Sequence, residues 1–249
     1  MVEILMPERV HAPEDIDQEL EKLAKLYQQT NGPGVRFLNF MGAQADQLLS
    51  RLPDPVRRNL DGATEQALMF ALRQGAARRV LPNVSPRGER LVGAALGVVG
   101  GAGGLAGTLA ELPLTTTFLL RIIQQEAARH GFDPKSDSVL FDTIRIFGAP
   151  GPFDTDARDA GYLAVRLGMS SGGMQKLVAQ VAPKLGIALG QKLAAQAVPV
   201  IGGAAGASCN YLFAGYYQTV AKVHFSVRRL AIDCDMPERE LKDRLQRRG

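Results

Sequence analysis

Ile16, Leu20, Leu23 and Tyr27 fall at i, i+4, i+7 and i+11 with charged residues between them, the spacing of one face of a helix. Pro13 opens the segment and Asn31-Gly32 closes it. A second helix is predicted from about Pro33 to Arg51, with Val35, Phe37, Leu38 and Phe40 near its start. A third follows Asp54-Pro55 and reaches about Val80, with Leu60, Ala63, Ala67 and Phe70 on its apolar side. LPNVSPRG, residues 81–88, has the composition of a linker. In SDSVLFDTIRIFG, Ser136 is placed to cap a helix and Gly148 to stop it. MQKLVAQVAPKLGIALGQKLAAQA reads as a long helix bent at Pro183, and the tail as a polar helix with Pro237 near its first turn.

The pattern changes in two places. Between Arg90 and Glu111 lie 20 residues without a charge, LVGAALGVVGGAGGLAGTLA, and between Lys192 and Lys222 lie 29 more. Each run combines a small-residue block with a proline, Pro113 or Pro199, and leads into a helix-like segment carrying basic residues. The blocks GGAGG (100–104) and GGAAG (202–206) are 102 residues apart, which suggests a weak internal repeat. Gly93, Gly97, Gly101 and Gly104 recur every three or four residues, so a helix places them on one side, where a second helix can approach backbone to backbone. Strand alternation is missing. The expected fold is an all-α, multi-helix bundle with two Gly/Ala-rich apolar helical hairpins packed centrally. An acidic helical segment would fill residues 1–50, the main helical domain 51–235, and a polar helix or tail 236–249.

Composition narrows the functional classes. The 249 residues carry 22% charged side chains, two cysteines and no tryptophan, so neither wholesale disorder nor a disulfide scaffold fits. Charge is uneven: residues 1–50 are net −4, while 51–90 are net +4 and 222–249 net +3. Basic segments attract phosphate, and Arg57, Arg58, Arg78, Arg79, Arg228 and Arg229 are candidate contacts to anionic headgroups. Aromatics are not interleaved with these arginines, and no nucleic acid is expected as a partner. The N-terminus holds Glu3 and no long apolar run, so a secretory signal is not expected and the cytoplasm is.

Catalytic motifs are weak. Gly101, Gly103 and Ala106 match a dinucleotide loop formally but follow no strand. Gly168-Met169-Ser170-Ser171-Gly172 matches G-x-S-x-G, and the downstream histidine is His224. No acid lies between Ser170 and His224, and a helix–helix turn fits the segment better than an esterase elbow. His11, His130 and His224 show no metal-ligand spacing, and no cofactor or metal is expected. Enzymatic activity is disfavoured, with a serine hydrolase using Ser170 and His224 kept as an alternative. Polar residues in apolar surroundings are a further candidate: Glu111, Thr115, Thr116, Arg121, Asn210, Tyr216 and His224. They suit a structural network tying two hairpins together, or a ligand site, with Arg121 returning to Glu111 beyond a bend at Pro113.

GGLAGTLAELPLTTTFLLRII, AAQAVPVIGGAAGASCNYLF and HFSVRRL together resemble the EcsC protein family over about Pro55 to Leu230. The YLAVR segment fits the same pattern and adds Tyr162 and Arg166 to the candidate network. The resemblance implies a cytoplasmic protein, or one peripheral at the inner membrane face, whose namesake is encoded beside an ABC-type exporter. It implies no catalytic residues. The expected function is a non-enzymatic, membrane-associated accessory protein that handles lipid or assists a membrane-protein machine. Its partners would be anionic lipid or a membrane protein; a soluble helical interaction module is the alternative.

Overall fold

The computed structural model describes residues 13–30, 54, 68, 85–102, 104–148 and 199–248, with side chains for 16–28, 54, 68, 85–98, 114–148 and 207–248. Among these, six helices are formed: α1 (Pro13–Thr30), α2 (Pro86–Ala102), α3 (Gly104–Arg129), α4 (Asp137–Gly148), α5 (Pro199–Asp233) and α6 (Glu238–Gln246). The architecture is all-helical. The helices expected at 33–51 and 174–197 lie outside the described residues. Most of the one expected at 55–80 does too, but Leu68 within it is helical and fully buried.

Helix α1 forms where the periodicity places it, with Ile16, Leu20, Leu23 and Ala24 buried. They pack on Val223, Val227 and Leu230 of α5 and on Leu241 and Leu245 of α6. Helix α4 starts at its predicted cap: the Val139 N–H donates to Ser136 Oγ at 3.4 Å, and Ser136 Oγ–H donates to the Asp133 carbonyl at 2.9 Å. Its Val139, Ile144, Ile146 and Phe147 join Phe118, Ile122 and Ile123 of α3 and Tyr217, Val220 and Phe225 of α5 in the larger core.

Two expectations need correction. The stretch 81–88 is not wholly linker: α2 begins inside it, with the Gly88 N–H donating to Ser85 Oγ at 3.2 Å and Pro86 at the first helical position. A Ser-Pro pair is turn-like by composition, yet it is also a cap followed by the one helical position that needs no N–H. Pro113 does not end its helix but lies inside α3, which continues to Arg129. An interior proline costs about 3 kcal/mol; burial of Phe118, Leu119, Leu120, Ile122 and Ile123 just beyond it offsets that cost.

The two charge-free runs meet. The first is divided between α2 and α3, which pair through Glu89 and Arg129; the second, from Pro199 onward, is the uninterrupted first part of α5. Residues 100–102 close α2 and Gly104 opens α3, whereas 202–206 lie inside α5, so the two blocks do not occupy equivalent positions. Helix α2 lies antiparallel along α5. Gly93 faces the Asn210 carbonyl, Arg90 lies over Gly215, and Pro86 reaches Gln218. A Cβ at Gly93 would stand 2.7 Å from Phe118 Cε1 and 3.4 Å from Asn210 O, so only glycine admits both neighbours undisturbed.

Candidate functional site

Helix α5 gathers two sets of charged side chains. The first lies where the N-terminal turn of α2 meets α3 and α5. Arg129 NH2 donates to Glu89 Oε1 at 2.6 Å and its NH1 to Glu126 Oε2 at 2.5 Å. Gln218 Nε2 donates to Glu89 Oε2 at 2.6 Å and to the Pro86 carbonyl at 2.8 Å, while Arg90 Nε donates to Gln218 Oε1 at 2.7 Å. Glu89 is 0% exposed, yet both its oxygens are paired. Burial alone would lower the Arg129 pKa, but bonds to Glu126 and Glu89 raise it. Arg90 also leans toward the Tyr211 ring, 6.0 Å from its centroid.

The second set joins α4, α5 and α6. Arg228 NH1 donates to Asp142 Oδ2 at 2.5 Å and NH2 to Ser138 Oγ at 3.1 Å, and the guanidinium stacks 4.6 Å from the Phe132 centroid. His224 Nε2 stands 3.2 Å from Asp142 Oδ2, close enough for charge interaction but off the hydrogen-bonding direction. Burial pushes the Asp142 pKa up, but His224 and Arg228 overcome it and hold the carboxyl well below its usual range. On α6, burial likewise opposes ionisation of Glu238, and Lys242, 2.5 Å away, outweighs it with help from His224.

The outer surface of α2 is a different kind of feature. Its buried side carries Gly93 and Gly97, and its exposed side carries Arg87, Leu91, Ala95 and Val98 at i, i+4, i+8 and i+11. Leu91 is 64% and Val98 47% exposed, with Leu114 on α3 and Tyr211 on α5 also open. Val92 and Leu96 pack against the core beside the inward glycines, so α2 is apolar on its outer face as well as its inner one.

The family model for the EcsC protein family matches residues 78–230. The chain belongs to the EcsC protein family. The match takes in α2 to α4 and nearly all of α5, hence the Glu89 set and most of the Asp142 set. It leaves out α1 and α6 and begins later than the Pro55 expected from the sequence. No curated protein and no solved structure matches the chain.

The expected polar residues of this EcsC-family chain lie at several levels of α3 and α5. Thr115, Thr116, Asn210, Tyr216 and His224 are all buried. Asn210 and His224 are fourteen residues apart on α5, about 21 Å at 1.5 Å per residue. Glu111 and Arg121 are ten apart on α3, about 15 Å, so the expected return of Arg121 to Glu111 is not formed. The side chain of Glu111 lies outside the described residues, as do Tyr162, Arg166 and Ser170. Arg121 is half-buried, which lowers its pKa. His224 instead faces Asp142 in the interior. Arg57, Arg58, Arg78 and Arg79 are outside the described residues. Arg228 and Arg229 correct the headgroup expectation: Arg228 is buried against Asp142, and Arg229 is held by Asp233 through Nε at 3.0 Å and NH2 at 2.7 Å.

Of the residues that form these clusters, the sequence pattern singles out His224 and Arg228 but not their carboxylate partners. Asp142 sits at i+3 from Val139 and i−4 from Ile146, an acid on an apolar stripe, which is a legible sign of a buried partner. Glu89 directly follows the stretch read as linker and precedes Arg90, the flank of the uncharged run, so no apolar stripe points to its burial. Among the described residues no group of three or more His, Cys, Asp or Glu is placed to hold a metal ion.

Proposed function

We propose that this EcsC-family chain is a peripheral membrane-associated accessory protein that handles lipid or assists a membrane-protein machine. The observation that carries it is the apolar outer face of α2, where Leu91, Ala95 and Val98 point outward and Arg87 sits one turn before them. An interfacial helix lays apolar side chains among acyl chains and keeps basic groups at headgroup level. Among the described residues no helix is long and apolar enough to cross a membrane, which favours lying on the surface over spanning it. Arg57, Arg58, Arg78 and Arg79 precede α2 in the chain and would add roughly 1 kcal/mol each if held near an anionic surface. The site of action proposed is the cytoplasmic face of the inner membrane.

Flotation with liposomes, with and without anionic lipid and across a salt series, tests this. The expected result is co-flotation with anionic vesicles, reduced by salt and abolished in a Leu91→Glu/Val98→Glu variant. Both side chains are exposed, so the variant retains its fold. Complete recovery in the soluble fraction at low salt with anionic lipid would sink the membrane reading and favour a soluble interaction module.

A further inference from the structure

A cavity of about 140 Å³ lies between α1 and the C-terminal ends of α3 and α5. Leu23 and Leu230 give it an apolar wall, and Arg229 and Asp233 a charged one. His130 and Ser226 line it together.

The position of His130 follows from how α3 ends. The Phe132 N–H donates to the Ala127 carbonyl at 3.0 Å and the Gly131 N–H to the Ala128 carbonyl at 3.0 Å, with Gly131 at φ +81°. This double bond closes the helix with a left-handed residue just after His130. It aims the imidazole back along α3, where Nδ1 lies 2.7 Å from the Glu126 carbonyl. A carbonyl only accepts, so Nδ1 carries the proton. In the neutral ring Nε2 is then bare, and Ser226 Oγ–H donates to it at 2.9 Å. A backbone carbonyl thus fixes the tautomer a general base needs, as a carboxylate does in the better-known triads.

We propose that Ser226 is a nucleophile and His130 its general base, for acyl transfer from a small ester held in this cavity. Ser226 Oγ attacks the ester carbonyl carbon while its proton passes to His130 Nε2. The carbon–oxygen bond to the alcohol breaks, and that proton leaves with the alcohol. Water then gives a proton to His130 and its oxygen to the acyl carbon; Ser226 Oγ leaves and takes that proton back from His130, and the products are one acid and one alcohol. Ser226 lies inside α5, where backbone N–H groups are committed to the helix, so charge on the oxyanion falls to Arg229, one turn further on. That donor is partly neutralised by Asp233, which slows acylation and deacylation alike, so the acyl-enzyme accumulates only with an ester whose leaving group is activated.

Burial lowers the His130 pKa; the Glu126 carbonyl and carboxylate oppose this, and Lys222 and Arg129 assist it. The neutral base therefore persists at neutral pH. Asp233 and Arg229 from α5 and Glu19 from α1 also face the cavity. This assignment does not depend on membrane binding.

The full chain, without lipid, is treated with a fluorophosphonate: Ser226 Oγ bonds phosphorus, fluoride leaves, and His130 takes the proton. Tryptic mapping should place the adduct on the peptide Val223–Arg228, which contains one serine. Ser226→Ala should abolish it, and His130→Gln should slow it roughly 100-fold, with helix content by circular dichroism unchanged. With p-nitrophenyl acetate, the wild type should release about one equivalent of nitrophenol in a burst that Ser226→Ala lacks. An unlabelled Val223–Arg228 peptide in the folded wild type, including labelling at Ser170 instead, would overturn the assignment. So would labelling undiminished in His130→Gln.

Discussion

The two halves of α5 hold their neighbours by different means. Around Asn210 and Gly215 the contact with α2 is one of shape: glycine on each helix admits the other's backbone or side chain. Around His224 and Arg228 the contact with α4 is one of charge, with Asp142 buried between the Arg228 guanidinium and the His224 imidazole. A shape contact fails by overpacking, a charge contact by leaving one ion buried alone. Failures of the second kind are larger, because desolvation of an unpaired charge has no local remedy.

Asp142→Ala is therefore expected to be the most damaging single change. It leaves Arg228 and His224 buried without their carboxylate, at a cost of about 3–5 kcal/mol, measured by urea unfolding. Replacing both partners, Asp142→Leu with Arg228→Leu, should recover most of that loss. A cost below about 1 kcal/mol for the single variant would show that Arg228 finds water, and the contrast between the halves would collapse.

The charged half should also be the acid-sensitive one. The Asp142 and Glu238 carboxyls are held below their usual pKa, so the stability they contribute is complete above about pH 5.5 and is lost as pH falls through and below the unfolded carboxyl range. His130, also lowered, makes the unfolded chain the first to take up a proton below about pH 6.5, so it too removes stability toward acid. In unfolding series at pH 7, 5, 4 and 3, the gap between wild type and Asp142→Asn should narrow below pH 4. A constant gap would mean Asp142 is not ionised in the folded chain.

Gly93→Ala probes the other half. Its methyl would stand 2.7 Å from the edge of Phe118, a side chain only 4% exposed and with little room to move. Overpacking of this kind costs about 1–3 kcal/mol. The loss should be independent of pH between 4 and 7 and should shrink in a Gly93→Ala/Phe118→Leu pair. A loss that grows toward acid would contradict the division.

Legibility followed the same division. Periodicity of large apolar residues found α1 and α4, because those helices bury one face and expose the other. Spacing of Gly93 and Gly97 found the close approach of α2, because only small residues permit it. The charged clusters stayed hidden because Glu89 and Arg129 are 40 residues apart, and Asp142 and Arg228 are 86 apart. Such pairings depend on how α3, α4 and α5 lie side by side, which no local spacing states. His224 was read as a polar residue of interest, but its partner came from α4 and not from Glu111 or Arg121. Ser226 and His130 went unpaired because their juxtaposition depends on the C-terminal turn of α3.

The smallest expected effect concerns how α5 ends. The Met236 N–H donates to the Ala231 carbonyl at 2.9 Å and the Asp235 N–H to the Ile232 carbonyl at 3.3 Å, the same closure that ends α3. The left-handed position is Gly131 after α3 but Asp235, at φ +50°, after α5. An aspartate there is strained by up to about 1–2 kcal/mol, and glycine returns part of this as backbone freedom in the unfolded chain, about 0.5–1 kcal/mol. Asp235→Gly should thus stabilise by no more than about 1 kcal/mol. Gly131→Ala should destabilise by a similar amount through φ alone, since its Cβ would meet only Arg229 NH1, at 3.7 Å. Paired thermal unfolding curves measure both. If Asp235→Gly instead destabilised the chain by more than about 1 kcal/mol, the Asp235 side chain would be a further member of the charged half, and backbone strain would not be the term that decides that turn.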